Sequence, residues 1–291
     1  MSAASQQMYD TGFLVIPSSD TNTFHFGTET ISTISSAGIT SRSAAVPMNS
    51  SVKGYLAGGL IGGIGTSLID GLKFADGSSF VAASTLGRSQ YGGHGVSSVV
   101  KGYVAGGDSS GYVQTIDAMA FNNETRTTLA VDLTGTVTRD SGGFSNFTHG
   151  YITALNFQYV DKLAFATETL TSLGTLQVGS GTLDTASLNS LTAGYVLGCS
   201  NVGSARIDKL LFSSDTASIL SATLSIARGA RDGTLNTSAK GYVCGGQNAN
   251  ASSTSYTEID GVLFSTDTAI NPSAAITVAT NGAVGLQGGW L

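Results

Sequence analysis

A short segment that begins with glycine and an aromatic residue recurs along the whole chain. Three copies are almost identical: Gly-Tyr-Leu-Ala-Gly-Gly at Gly54–Gly59, Gly-Tyr-Val-Ala-Gly-Gly at Gly102–Gly107 and Gly-Tyr-Val-Cys-Gly-Gly at Gly241–Gly246. With three weaker copies, the segment starts near residues 12, 54, 102, 150, 194 and 241, which are 42 to 48 residues apart. Because self-similarity at a fixed period marks a repeat fold, the sequence predicts six structural units.

A second motif follows the first one in every unit. It places apolar residues at alternate positions around an aspartate and ends in phenylalanine, as in Ile69–Phe74 and Val160–Phe165. The first unit carries a degenerate copy, Thr21–Phe26. The alternation predicts a strand with one face in a core, and the polar residues after it, such as Thr167-Glu168-Thr169, predict a tight turn.

The rest of each unit predicts two more strands. A Leu/Thr/Ser segment follows the turn, and a small-residue segment then runs into the next Gly-Tyr pair, as at Lys53-Gly54 and Lys101-Gly102. We expect the glycine of that junction to supply the positive φ of a tight hairpin turn. Four strands in a period of 42 to 48 residues, without helical periodicity, indicate a blade of a β-propeller. The sequence therefore predicts an all-β, six-bladed β-propeller of four-stranded blades, with one domain over residues 12–291 after an N-terminal arm of residues 1–11.

The two ends of the chain predict how the ring closes. The first Gly-aromatic strand starts almost at the N-terminus, so the first blade lacks an inner strand from its own unit. After its outer strand the sixth unit continues into Asn281–Leu291, which resembles an inner strand that runs into another Gly-aromatic pair. We expect Ala283–Gln287 to pair beside Phe13–Ile16 and close the ring, since an open sheet edge would leave unpaired backbone groups. The alternative is that Gln6–Tyr9 supplies the missing strand.

Composition argues against several classes of function. Charged residues are only 11% of the chain, and the 13 Lys and Arg residues are scattered within a net charge of −6, which gives no basic surface for nucleic acid. No apolar run reaches the ~18 residues of a membrane helix, so we expect no membrane insertion.

Cys199 and Cys244 are the only cysteines, and we interpret them as small buried hydrophobes. The three histidines lack metal-ligand spacing, and no nucleophile–base arrangement is visible. We expect no metal site, no cofactor and no enzymatic activity.

Two sets of repeated charged residues suggest either ligand binding or blade packing. The first set has one aspartate in each second motif: Asp70, Asp117, Asp161, Asp208 and Asp260. The second set comprises Arg42, Arg88, Arg139 and Arg228. A carboxylate ring for a cation and an arginine ring for a glycan are the functional hypotheses. We favour the structural ones, in which the carboxylates accept backbone N–H bonds from the preceding loop and the guanidinium groups reach carbonyl or carboxylate groups of neighbouring blades.

The order of these features resembles the kelch repeat, with a strand ending in Gly-Gly, an Ile-Asp-x-Leu-x-Phe strand before a polar turn, then an arginine and a small-residue strand. The resemblance covers the chain from Gly12 onward, although the tryptophan and the Pro-rich stretch typical of kelch repeats are missing. The motifs are most similar to kelch-like repeat arrays in structural proteins of tailed bacteriophages. This resemblance implies a virion protein at the surface of an extracellular particle, with other virion proteins as partners.

The connection between the Gly-Gly strand and the aspartate motif varies most between units. It has nine, eight, four, seven and twelve residues in units two to six, and in a propeller all these connections emerge on the same face. Variable loops on a rigid scaffold usually carry recognition, and aromatic rings with amides suit carbohydrate. The candidate ligand-binding residues on this face are Asp108, Tyr112, Gln114, Gln158, Tyr159, Arg206, Asn248, Asn250 and Tyr256.

These observations predict a non-enzymatic propeller module of a tail fibre, tail tip or head surface. We expect it to attach to host-surface polysaccharide through the variable loops. Two alternatives stay open at this point. One is a purely structural decoration or connector protein that binds only other virion proteins, and the other is a cellular propeller lectin.

Overall fold

The computed structural model describes residues 10–17, 20–34, 38–134, 142–153, 160–174, 184–199, 203–229, 233–248, 254–280 and 282–288. Within these ranges the chain forms strands, turns and bends, and no helix there is long and apolar enough to cross a membrane. The strands build six four-stranded antiparallel sheets that follow one another along the chain. The prediction of an all-β, six-bladed propeller of four-stranded blades is confirmed.

Each blade is a meander of four strands that runs outward from the centre of the ring. The inner strands of blades one to six are β28 (Val284–Gln287), β4 (Val46–Asn49), β10 (His94–Ser97), β14 (Gly143–Ser145), β18 (Ala186–Asn189) and β22 (Thr234–Asn236). The second strands, which carry the Gly-Tyr motif, are β1 (Thr11–Val15), β5 (Lys53–Ala57), β11 (Lys101–Ala105), β15 (His149–Thr153), β19 (Ala193–Cys199) and β23 (Lys240–Cys244). Each inner strand contacts the inner strands of the two neighbouring blades, which makes a closed circle.

The outer half of each blade holds the second motif and a solvent-exposed edge. The third strands are β2 (Thr21–His25), β8 (Ile69–Lys73), β12 (Thr115–Ala120), β16 (Val160–Ala164), β20 (Ser204–Leu211) and β26 (Ile259–Leu263). The outer strands are β3 (Thr30–Ile34), β9 (Ser79–Val81), β13 (Arg126–Asp132), β17 (Thr169–Ser172), β21 (Thr216–Thr223) and β27 (Thr268–Ile270). Two small hairpins, β6–β7 (Leu60–Ile61 and Ile64–Gly65) and β24–β25 (Gln247–Asn248 and Thr254–Ser255), extend from blades two and six.

The ring closes through the C-terminal strand, as predicted. β28 pairs antiparallel with β1, with Gly12 opposite Gln287 and Val15 opposite Val284. The place beside β1 is therefore occupied, and the alternative strand Gln6–Tyr9 lies outside the described residues. Of the predicted N-terminal arm, Thr11 already belongs to β1, and residues 1–9 lie outside the described part of the chain.

The two repeated motifs meet between neighbouring blades. The aromatic residue of each Gly-aromatic pair stacks on the phenylalanine that ends the second motif of the next blade, with ring centroids 5.1 to 5.9 Å apart. The six pairs are Phe13–Phe74, Tyr55–Phe121, Tyr103–Phe165, Tyr151–Phe212, Tyr195–Phe264 and Tyr242–Phe26. Because aromatic pairs add stabilisation beyond their buried area, blade packing explains why both motifs recur together.

The motif glycines serve a purpose that differs from the prediction. The first glycine of each Gly-aromatic pair has no left-handed φ, because the turn ends before this glycine. In blade two, for example, the Ser50 Oγ closes the turn by donating to the Lys53 carbonyl and accepting from the Lys53 N–H. A Cβ at any of these six glycines would lie 2.0 to 2.7 Å from a side chain of the preceding blade's inner strand, such as Leu286 for Gly54. The positive φ occurs instead in the Gly-Gly pair, as at Gly58 and Gly59 (φ 63° and 104°). The turn prediction for the first glycine was wrong, and close packing is the reason for its recurrence.

Polar side chains at the ends of the inner strands form a ring around the central channel. Its members are Asn49, Ser97, Ser145, Asn189, Asn236 and Gln287. At five of the six steps a backbone N–H of one member donates to the side-chain oxygen of the next, as from Asn49 to Ser97 (3.1 Å) and from Gln287 to Asn49 (3.1 Å). At the sixth step Asn189 Nδ2 donates to the Ser145 carbonyl (2.9 Å). The cavity here is only about 90 Å³, so this end of the channel is narrow.

Candidate functional site: the loop face and a cavity at blade one

The antiparallel strand order gives the disc two different faces. Connections between second and third strands, together with the linkers between blades, emerge on one face, which we call the loop face. Turns between first and second strands, and between third and fourth strands, emerge on the other, which we call the turn face. The turn face is repetitive, whereas the loop face carries the extra hairpins β6–β7 and β24–β25 in two of its connections. The irregular face expected from the connection lengths is therefore present.

Three of the predicted binding residues lie in one loop of blade three. Asp108 forms isolated bridges with Tyr91 and Tyr112. Its carboxylate accepts hydrogen bonds from the Tyr91 hydroxyl (3.1 Å) and the Gly111 backbone N–H (3.0 Å). The Tyr112 side chain is 54% exposed, and Gln114 is also exposed. The loop therefore presents an aromatic ring and an amide to solvent beside a carboxylate that orders it.

The other described candidates lie in blades five and six. In blade six Asn248 donates to the Ala227 carbonyl (3.0 Å), and Tyr256 is half-buried. Arg206, in blade five, bonds Asp208 through Nε (3.2 Å) and Nη2 (2.8 Å). Burial raises the pKa of the Asp208 carboxyl, and Arg206 opposes this effect. Arg206 therefore compensates a buried charge, and the described candidates lie in three different blades rather than in one pocket. Gln158, Tyr159 and Asn250 lie outside the described residues.

The repeated aspartates accept hydrogen bonds from backbone N–H groups in the linker from the preceding blade, which confirms the structural interpretation where the linkers are described. The donors are Thr40 for Asp70, Gly87 for Asp117, Thr134 for Asp161 and Ser225 for Asp260, at 2.7 to 3.2 Å. In the degenerate first unit Asn22 takes this place and accepts from Thr277 N (2.9 Å). The described residues contain no group of three or more His, Cys, Asp or Glu side chains that could hold a metal ion.

The repeated arginines divide into different roles. Arg42 and Arg228 are buried against Asp70 (2.5 Å) and Asp260 (3.1 Å), as the structural interpretation expected. Arg88 is exposed, and the prediction was wrong for this residue. Gln90 is buried near it instead and donates from Nε2 to the Gly106 carbonyl (3.1 Å). Arg139 lies outside the described residues.

The two cysteines are buried and form no disulfide with each other, which confirms that they act as small hydrophobic residues. Burial raises the pKa of the Cys244 thiol to about 12. A thiol that stays protonated is a poor nucleophile and a poor metal ligand. Cys244 therefore belongs to the core between blades six and one rather than to a reactive site.

A cavity of about 470 Å³ opens on the loop face between blades one and two. Its apolar wall includes Ile16, Ile39 and Leu56, and its polar wall includes Thr40, Ser41 and Arg42. The Arg42 side chain is almost completely buried, and its Nε has no hydrogen-bond partner. The cavity therefore combines an apolar surface with polar side chains, as ligand pockets commonly do.

The cavity arises where the first unit departs from the repeat. In blades two and five a residue at the end of the Gly-Tyr strand packs on the linker to the next blade, as Gly59 N donates to the Gln90 carbonyl (2.9 Å) and Cys199 N to the Arg228 carbonyl (3.0 Å). In blade one Ile16 and Pro17 stand where units two, three and six have Gly-Gly and unit five has Gly-Cys, and proline has no N–H to donate. The sequence did not predict this site, although the proline at this position was a visible signal.

A scan against protein-family models finds no match for this chain, and no curated protein is similar to it in sequence. The structure shows a six-bladed β-propeller.

Proposed function

We propose that this protein is a non-enzymatic virion component of a tailed bacteriophage, a propeller module that attaches to a host-surface glycan through its loop face. The resemblance of its motifs to kelch-like phage arrays supports the proposal of a virion protein. The observation that carries the binding role is the 470 Å³ cavity on the loop face. Its volume lies within the range of about 300 to 1,000 Å³ that is typical of small-molecule sites.

The chemistry of the cavity suits a sugar residue. A pyranose ring offers an apolar C–H face and a rim of hydroxyl groups. Ile16, Ile39 and Leu56 supply an apolar wall for the first, and Thr40 and Ser41 supply polar groups for the second. Tyr112, which is exposed on the same face, adds an aromatic surface for further residues of a polysaccharide.

Glycan binding can be measured with the purified protein on an array of bacterial surface polysaccharides. We expect saturable binding that is weakened by Ile39→Glu, which places a charge in the apolar wall, and by Tyr112→Ala or Tyr256→Ala. The matched control is Phe147→Ala, because Phe147 is similarly exposed (58%) but lies on the turn face. Loss of binding only in variants whose thermal transition also falls, or equal loss in the control, would remove the support for a loop-face site.

A second candidate function, a connector that binds other virion proteins, is supported by the turn face. Four consecutive turns between first and second strands expose large apolar side chains: Val52, Val99, Val100, Phe147 and Leu191, at 54 to 63% exposure. Grouped exposed apolar residues are typical of protein-binding surfaces. For a pure connector, the double variant Phe147→Ser/Leu191→Ser should reduce incorporation into particles while Tyr112→Ala leaves both incorporation and adsorption to cells unchanged.

A further inference from the structure

Five of the six blade interfaces contain the same three polar groups, which we call a clasp. A lysine Nζ and the hydroxyl of the Gly-Tyr tyrosine both bond one carboxylate on the next blade, at 2.6 to 2.8 Å and 2.8 to 3.2 Å respectively. The clasps are Lys53–Tyr55–Glu124, Lys101–Tyr103–Glu168, Lys162–Tyr151–Asp215, Lys209–Tyr195–Asp267 and Lys240–Tyr242–Glu29. The acidic residue always has a left-handed φ of 52° to 57° in its turn.

The lysine keeps its place in space although it changes its place in the sequence. In blades two, three and six it lies on the Gly-Tyr strand, as Lys53 does. In blades four and five it lies on the third strand, as Lys162 and Lys209 do. Both arrangements bring the ammonium group to the same carboxylate and close to aromatic rings, with Lys53 Nζ 4.6 Å from the Phe80 ring centroid and Lys162 Nζ 5.4 Å from that of Tyr151.

The interface between blades one and two has lost all three groups of the clasp. Phe13 replaces the tyrosine, and Gly77 (φ 69°) replaces the acidic residue in the turn. The two lysine positions hold Thr11 and Thr23. A cavity of about 290 Å³ lies at the position of the missing clasp, and all four of these residues line it.

From this comparison we infer that the cavity between Phe13 and Gly77 binds the side chain of a lysine presented by a partner protein. The other five interfaces show the chemistry that this position accepts, an alkyl chain with a terminal ammonium group. At the interface between blades one and two the corresponding cavity is present, but neither lysine position holds a lysine. Phe13 and Phe74 stack at 5.8 Å and supply aromatic surface, which attracts cations.

Two polar groups at this cavity match an ammonium ion. Thr23 is buried in the wall of the cavity, and its Oγ1 is an acceptor without a hydrogen-bond partner. Asp76 lies at the rim beside Gly77 and supplies negative charge. Hydrogen bonds from Ser78 lower the pKa of Asp76, which keeps its carboxylate charged at neutral pH. The site lies toward the turn face, so this inference does not depend on glycan binding by the loop face.

The test uses two small probes that differ only in charge at the chain end. Nα-acetyl-lysine-N-methylamide presents the ammonium group, and Nα-acetyl-norleucine-N-methylamide presents a methyl group instead. NMR titration of the isotope-labelled full chain should show saturable shifts at Thr11, Phe13 and Gly77 with the lysine probe alone. Asp76→Asn should weaken that binding by about two- to fivefold, the range for an exposed ion pair, whereas Asp132→Asn, at an exposed acid on β13, should not.

Two further variants fill the site with a lysine of the chain itself. Thr11→Lys copies blades two, three and six, and Thr23→Lys copies blades four and five, so the test survives if one of them fails to fold. Either folded variant should abolish binding of the lysine probe, while Thr11→Ser retains it. Equal binding of the norleucine probe, absence of saturable shifts, or undiminished binding in a folded lysine variant would each overturn the inference.

Discussion

The tyrosine of the Gly-Tyr motif contributes to blade packing in two ways. Its ring stacks on a phenylalanine of the next blade, and its hydroxyl donates to the clasp carboxylate, as Tyr103 does to Glu168 (3.2 Å). Burial raises the pKa of the Tyr103 phenol well above its ordinary value, so the hydroxyl stays protonated and can donate. Because a buried hydroxyl needs a partner, the acidic residue of each turn is part of the interface rather than a free surface charge.

The clasp predicts a stability effect at a residue that the sequence alone would place on an exposed turn. Glu168→Gln keeps the shape of the side chain but removes the charge that Lys101 and Tyr103 contact. Lys101 is about one-third exposed, so screening limits the loss, and we expect the free energy of unfolding to fall by about 1 kcal/mol. Urea denaturation measures this, with Asp132→Asn as the exposed control. Equal stability of the two variants would contradict the clasp.

The clasps also predict how stability depends on pH. The hydrogen bond from Lys240 lowers the pKa of Glu29 below 4.5. For Glu124 burial raises the pKa, but the bonds from Lys53 and the Ala83 N–H outweigh it and lower the value. As the pH falls, these glutamates therefore bind protons in the unfolded chain before they do so in the folded chain. The free energy of unfolding decreases as the pH falls from the ordinary pKa of glutamate through the lowered pKa of the folded state. The melting temperature should stay level from about pH 7 to about pH 5 and then drop. Glu29→Gln should flatten that drop, and an unchanged acid limb would count against this origin.

At the scale of single strands, β28 holds the ring together. It pairs with β1 along four residues, and its last residue, Gln287, joins the polar ring around the channel. Leu286 of β28 also packs against Gly54 of blade two. One strand thus contributes to blade one, to the central ring and to the next interface.

This role predicts different outcomes for truncation at the two ends. Removal of residues 282–291 deletes β28, leaves the inner edge of β1 unpaired and should abolish cooperative unfolding. Removal of residues 1–9 leaves every described strand intact and should change the melting temperature by little. Far-UV circular dichroism and thermal melts distinguish the two truncated proteins, and a stable protein after the C-terminal deletion would refute closure by β28.

The strands could be predicted from the sequence because each repeats six times with the same alternation. The closing strand could also be predicted, because an unfinished first blade and a surplus C-terminal strand are complementary. Contacts across blades could not: the steric role of Gly54 depends on Leu286, which is 232 positions away. Arg88 and Gln90 show the same limit. Gln90 takes the buried position that the repeat pattern predicted for Arg88, and Arg88 is exposed.

Both described cavities at blade one result from departures from the repeat rather than from the repeat itself. Ile16-Pro17 in place of Gly-Gly accompanies the loop-face cavity, and Thr11, Phe13 and Gly77 in place of a clasp accompany the cavity toward the turn face. Because these positions break the repeat, the repeated spacing did not predict the two cavities.

At the scale of the whole molecule, the proposed function predicts binding without turnover. Four of the five repeated aspartates accept hydrogen bonds from backbone N–H groups, as Asp161 does from Thr134 (2.8 Å), and so contribute to blade packing. Incubation of the protein with the polysaccharide that it binds should therefore release no oligosaccharide, as measured by reducing-end assay and mass spectrometry. Release of defined fragments would show that the loop face is catalytic.

The proposed virion role is tested by the position of the protein in an intact phage particle. Cryo-electron microscopy of the particle would show which face of the disc is outermost. We expect a six-bladed disc at the particle surface with the loop face, including Tyr112 and the cavity beside Arg42, directed outward, and the turn face against other virion proteins. A disc whose loop face is buried between subunits, or a particle without this protein, would contradict it.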